Sequence, residues 1–143
     1  MPKTRSLLLV TALAEAGVGV ALLVAPGLSV ELLLGKVDES PPPFVMERIL
    51  GAALFVIAIT CWLARDGTGG GAAKPLLAGL LVYNVAVPAL LAYAALSYAF
   101  SSLLLWPACV LHAGLTVWCV VCLRAAASAA NGPARTPQAH DLR

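Results

Sequence analysis

Glu15, Asn84 and His112 are the side chains of this chain best suited to hold or pass a proton, and each lies deep inside a run of apolar residues. The runs that carry them are 6–25, 76–97 and 103–123. On helices rising about 1.5 Å per residue, Glu15 lies roughly 13 Å in from Ser6, Asn84 roughly 12 Å in from Leu76 and His112 roughly 16 Å in from Leu123. If the first two of these helices run in one direction and the third returns, the three groups share nearly one depth. A lone carboxylate in hydrocarbon is costly, so Glu15 is expected to be protonated, paired or hydrated. The spacing predicts that Glu15 meets His112, with Asn84 completing the hydrogen bonds. Burial favours the neutral form of each group and direct pairing favours the charged forms, so the two effects oppose each other.

The run holding His112 extends this layer. Cys109, His112, Thr116 and Cys119 advance by three, four and three residues, which on a helix places them within about an 80° arc. That face is expected to turn inward and to line a pocket, a proton path or a helix contact, with Trp118 pointing away. Cys119-Val-Val-Cys122 has the C-x-x-C spacing of thiol redox centres. Four-span membrane thiol oxidoreductases that pass electrons to quinone use such pairs, but with a second pair on the outer side. The segments joining the apolar runs here contain no cysteine, so small apolar fillers are the expected role of Cys119 and Cys122. A metal site is not predicted, because zinc wants four ligands at spacings this chain lacks. His112 is the one histidine within the apolar runs, so a haem held by two histidines would need two chains. No serine–histidine–acid order or carboxylate pair points to hydrolysis.

The elements that must position these groups are four apolar stretches, 6–25, 44–64, 76–97 and 103–123. Each is about the length of roughly 20 residues that spans a hydrocarbon core of about 30 Å. Hydrophobic residues make up 61% of the 143-residue chain and charged residues 11%, against about a quarter charged in a soluble domain. There are too few polar side chains to cover a surface facing water, so lipid is expected to cover it. The expected fold is all-α, an integral membrane four-helix bundle forming one domain over 1–127, with a polar tail over 128–143. A net charge of +2 on scattered basic residues gives nucleic-acid binding no support.

Charge placement predicts orientation. With both termini cytoplasmic, Lys3, Arg5, Arg65, Lys74, Arg124, Arg135 and Arg143 fall inside, and only Lys36 and Arg48 outside. That division follows the positive-inside rule. Lys3 and Arg5 ahead of an apolar run, with Ala14-Glu15-Ala16 behind, imitate a secretory signal. The apolar run continues to Ala25 past that point, as an uncleaved first span would.

Between the spans, Pro26-Gly27 stops the first helix. Leu28–Leu34 is too short to cross and is expected as an interfacial helix or a bent extension. Lys36–Pro43 should be an extended outer loop. Glu47 and Arg48, in the first turns of the second span, are candidates for an ion pair at the outer interface. Arg65–Pro75 is read as a glycine-rich cytoplasmic turn, since it lacks the lysine and hydroxyl residue of a phosphate loop. Pro88 should kink the third span. Tyr98–Ser102 is expected as a tight outer turn. Gly17, Ala21 and Ala25 form a small-residue row on the first span, with Ala12 and Ala16 as a second, and such rows let helix backbones approach.

The stretch Gly17–Gly35 followed by Glu47–Arg65 resembles the first half of small bacterial DoxX-like four-helix membrane proteins. Pro26, Arg48 and Gly51 occupy the positions of that group's helix-ending proline, its arginine and the glycine of its second helix. The resemblance covers about half of the chain; Tyr83-Asn84 and Trp106-Pro107 with His112 are assigned no counterpart. It implies a compact single-domain bundle and assigns no substrate. Taken together, the residues lead to a non-catalytic, multi-pass protein of the cell membrane (the inner membrane if bacterial). It would bind an apolar or amphipathic small molecule, a lipid or quinone among them, or a partner membrane subunit, through Glu15, Asn84 and His112. The alternatives are a proton-coupled transporter or channel component acting as a homo-oligomer, and a membrane thiol/quinone oxidoreductase.

Overall fold

A computed structural model describes residues 2–35, 44–67, 73–98 and 102–130, and these are all-helical. Five helices follow in order: α1 (Pro2–Val24), α2 (Pro26–Leu34), α3 (Phe44–Ala64), α4 (Ala73–Tyr98) and α5 (Leu105–Ala130). All but α2 are long and apolar enough to cross a membrane, by length and composition. The expected loop over 36–43, the glycine run of the turn at 68–72, the centre of the outer turn at 99–101 and the tail from 131 lie outside the described residues. Helix α5 carries on past the expected end at Leu123 and takes in Ser128. Helix α4 runs through Pro88 without interruption.

The break between α1 and α2 is local chemistry. Pro26 has no N–H to continue the helix ladder and its fixed φ suits a first helical position. Ala25 takes φ −134° and ψ 64°, and Pro26 opens the new helix. Leu28–Leu34 is therefore part of a separate helix. At its far end Gly35 adopts φ 92°, a left-handed conformation that residues with a Cβ avoid. Its N–H bonds the Glu31 carbonyl at 2.8 Å.

The long helices pack most extensively as two pairs, α1 with α3 and α4 with α5. Both pairs are antiparallel. Arg5 lies at Asp66 and Gly19 at Gly51 in the first; Cys109 lies at Pro88 and His112 at Asn84 in the second. The pairs meet through a core at the end where α1 begins, made of Leu7, Leu8, Ala12, Cys61, Leu77, Leu80, Leu115, Cys119 and Cys122. Trp118 packs against this core instead of pointing away from it.

At the opposite end α2 is the tie. The last carbonyls of a helix have no partner within it. Here the Leu104 N–H bonds the Leu32 carbonyl at 3.1 Å and the Ser102 hydroxyl donates to the Leu33 carbonyl. The chain entering α5 thus caps α2. No residue of α4 from Val85 to Ser97 is buried, so burial on that helix stops at Asn84. The polar layer lies at that boundary.

The close approach of α1 and α3 is not made by the expected small-residue row. Gly17 and Ala21 are exposed, and a Cβ on Gly17 would meet nothing within 4 Å. Gly19 and Gly51 make the crossing. A Cβ on either would stand 2.8 Å from the other's carbonyl oxygen.

Candidate functional site

Three helices deliver the polar row. Thr11 and Glu15 are one turn apart on the buried face of α1. Tyr83 and Asn84 are adjacent on α4, and neighbours on a helix point about 100° apart, so the two can serve different partners. Tyr83 turns to α1, where its hydroxyl lies 3.0 Å from Glu15 Oε2 and donates to the carboxylate. Asn84 turns to α5, where its Oδ1 lies 2.8 Å from His112 Nδ1. The same amide donates through Nδ2 to the Leu80 carbonyl at 2.8 Å. The rings of Tyr83 and His112 meet edge to face, with centroids 5.5 Å apart and planes at 80°.

The row therefore reads Glu15, Tyr83, His112, Asn84. It joins both helix pairs, since Glu15 belongs to the first and the other three residues to the second. Its outer members are sealed, Glu15 at 3% exposure and Asn84 at 0%. Its two rings are only half-buried. The row thus has buried ends and an accessible middle.

The expected direct contact between Glu15 and His112 is replaced by this arrangement. Among the described residues the carboxylate is bonded to Tyr83 and the imidazole to Asn84. The reason is reach: a tyrosine on α4 puts its hydroxyl at the far end of a long rigid ring, while His112 on the same pair is already held by the residue beside that tyrosine. Tyr83 went unassigned in the sequence, where only its neighbour looked like an intramembrane polar group. The available signal was depth, which Tyr83 shares with Asn84.

The remaining candidates separate. Thr116 donates its hydroxyl to the His112 carbonyl at 2.9 Å, one turn back on its own helix, and so is satisfied within α5. Cys109 is half-buried, with Sγ 4.0 Å from the Pro88 carbonyl. Cys119 is fully buried in the apolar core beside Cys122 and Cys61, and all three are free thiols. Thiol exchange needs an attacking partner to reach the sulfur, and all three side chains are packed in the apolar core. Among the described residues no group of three or more histidines, cysteines or carboxylates is arranged to hold a metal ion.

Glu47 and Arg48 do not form an ion pair among the described residues; Arg48 is exposed, and the sealed Oε2 of Glu47 has no hydrogen-bond partner. Thr11, which the sequence did not single out, is fully buried one turn below Glu15, and its hydroxyl likewise has no partner among the described residues. Comparison with known proteins finds no matching family model, no matching curated protein and no matching solved structure.

Proposed function

We propose that this chain is a multi-pass membrane protein, with both termini cytoplasmic, that binds an amphipathic small molecule at the Glu15–Tyr83–His112–Asn84 row without catalysing a reaction on it. One observation carries the reading: the row's ends are buried and hydrogen-bonded while its two rings remain half-buried. Polar groups in hydrocarbon are costly when unmade. A ligand with one polar head and an apolar body suits a place where two amphipathic rings lie open beside a sealed carboxylate. The orientation is supported by charge, since Arg5, Arg65, Lys74 and Arg124 share one end of the helices and Arg48 has the other. The four-helix bundle suggested by the DoxX-like resemblance accords with this reading.

Proton-coupled transport is the weaker use of the same residues. A proton path needs a hydrogen bond at every link, and the step from Tyr83 to His112 is a ring contact. A transporter would have to fill that step with water or solute, and four spans would need an oligomer to enclose a path.

The test is native mass spectrometry of the protein extracted in mild detergent, which reports stoichiometry and retained ligand together. The expected result is wild type carrying an amphipathic molecule that a Tyr83→Phe, His112→Ala double variant no longer retains. Wild type carrying none, with no thermal stabilisation by lipid or quinone extracts, would overturn the reading. Solute or proton flux in liposomes abolished by Glu15→Gln would replace it with transport.

A further inference from the structure

The hydrogen bonds around Asn84 determine more than the position of His112. The Leu80 carbonyl can only accept, so the amide atom facing it at 2.8 Å must be the NH2 group. That orientation puts the amide oxygen, itself only an acceptor, 2.8 Å from His112 Nδ1. A nitrogen facing an acceptor at that distance must carry the proton. The carboxylate of the row is engaged by Tyr83, and among the described residues no carboxylate pairs with the imidazole to balance a charge in an apolar setting. A neutral imidazole protonated at Nδ1 has a bare Nε2, which is an acceptor. Among the described residues Nε2 takes part in none of the hydrogen bonds, and the ring is half-buried.

Resting on the binding reading above, we propose that the ligand is a hydroxyl-bearing amphiphile whose O–H donates to His112 Nε2. Asn84 acts as a positioning residue that sets the tautomer. The site then selects by hydrogen-bond polarity. An alcohol meets the bare nitrogen with a donor, whereas a ketone, aldehyde or ether of the same shape brings one lone pair against another. The edge-to-face contact of the Tyr83 and His112 rings and the Asn84 bond hold the imidazole plane, so the nitrogen cannot turn away from the mismatch without breaking that bond.

Two measurements test this on the full-length protein in detergent. Nitrogen-15 NMR of ring-labelled histidine reads the tautomer with no ligand present. The expected signature for His112 is a protonated Nδ1 and a bare Nε2; a protonated Nε2 overturns the proposal whatever binds. The second measurement compares farnesol, farnesal and farnesyl methyl ether by thermal shift and by retention in native mass spectrometry. Farnesol is expected to bind about five- to tenfold more tightly than either analogue, the value of one net hydrogen bond. His112→Asn, which keeps a donor toward Asn84 but has no atom at the Nε2 position, should fold and bind all three alike. His112→Ala serves as the harsher control. Equal binding of the three probes by wild type overturns the donor selectivity and leaves the binding reading standing. Binding of none overturns the hydroxyl proposal, and the binding reading falls with it only if the protein also retains no amphiphile and gains no stability from lipid or quinone extracts.

Discussion

The α1–α3 seam and the α4–α5 seam hold helices together by different physics. The first is made by backbone: Gly19 and Gly51 meet so closely that neither has room for a methyl group. The second carries a hydrogen bond between side chains, from His112 to Asn84. Hydrocarbon gives two helices no reason to hide apolar surface from it, so association rests on close packing or on polar bonds. Within the long helices of this chain each pair relies chiefly on one of the two. The consequence is that the first seam is free of chemistry, while in the second the atoms that bind the helices are also the atoms of the candidate site.

The sharpest way to break that contrast is at the glycines. Exchanging a helical glycine for alanine ordinarily helps a helix by up to about 1 kcal/mol. Gly17→Ala, in open space, should follow that rule and be neutral or mildly stabilising in a detergent thermal-unfolding assay. Gly19→Ala should carry the opposite sign, because its Cβ would lie 2.8 Å from a carbonyl oxygen and 3.1 Å from the Phe55 nitrogen, and backbone cannot swing aside as a flexible side chain can. Overpacking of this kind costs about 1–3 kcal/mol, and Gly19→Leu should exceed that and separate the pair. A stabilising Gly19→Ala would mean that the α1–α3 crossing is looser than this structure has it.

On the polar seam the corresponding change is Asn84→Leu, which nearly preserves volume and removes both amide bonds. It should cost about 1–2 kcal/mol, since the buried Asn84 amide is lost and the half-buried His112 Nδ1 is left without its acceptor. The effect should be smaller than that of Gly19→Leu, because bonds between membrane helices average below about 1 kcal/mol each. An Asn84→Leu variant as stable as wild type, measured by the same assay, would show that this seam is also held by packing, through Leu77, Leu80 and Leu115.

The difference between the seams also explains what could be read from the residues. Span length and composition located all four long helices, since that depends only on the count of apolar residues, and the second span matches α3 at both ends. Pro26 marked the α1–α2 break because a missing N–H acts locally. The small-residue rows do not single out Gly19 as the glycine that meets α3, because an alanine-rich helix offers several rows at the same spacing and only the partner helix chooses among them. In the site, depth alone brought Glu15, Asn84 and His112 to one layer. Their partners depended on the rotation of α4, which decides that Tyr83 and not Asn84 turns to α1. Rotation of a uniformly apolar helix leaves no periodic trace, so that half of the site had no signature.

The link between the pairs can be sharpened by a double-mutant cycle. Tyr83→Phe removes the donor and Glu15→Ala the acceptor, so their coupling isolates the bond. A coupling of about 0.6 kcal/mol is expected, the average for polar contacts between membrane helices, with about 1.7 kcal/mol as the upper end. Glu15→Gln, which keeps an acceptor oxygen, should retain most of it. Additive effects would show that Glu15 and Tyr83 are neighbours without being partners, and the two pairs would then be joined by the apolar core and α2 alone.

The smallest effect is expected where an ion pair is most visible. Arg5 Nε lies 3.3 Å and Arg65 Nε 3.4 Å from the carboxylate of Asp66, which fastens the start of α1 to the end of α3. The Arg5 and Asp66 side chains are about three-fifths exposed, where water screens the attraction and ordering two long side chains opposes it. Arg65 also stacks on Trp62, with its guanidinium carbon 3.9 Å from the ring centroid, so its position does not depend on Asp66. Asp66→Asn should therefore cost less than about 0.5 kcal/mol at low ionic strength. In about 1 M salt, where the screening length falls to about 3 Å, the difference should vanish. A loss comparable to that of Gly19→Ala, persisting in salt, would mean that the α1–α3 seam is clamped at its end by charge, and the glycine crossing would no longer account for the pair.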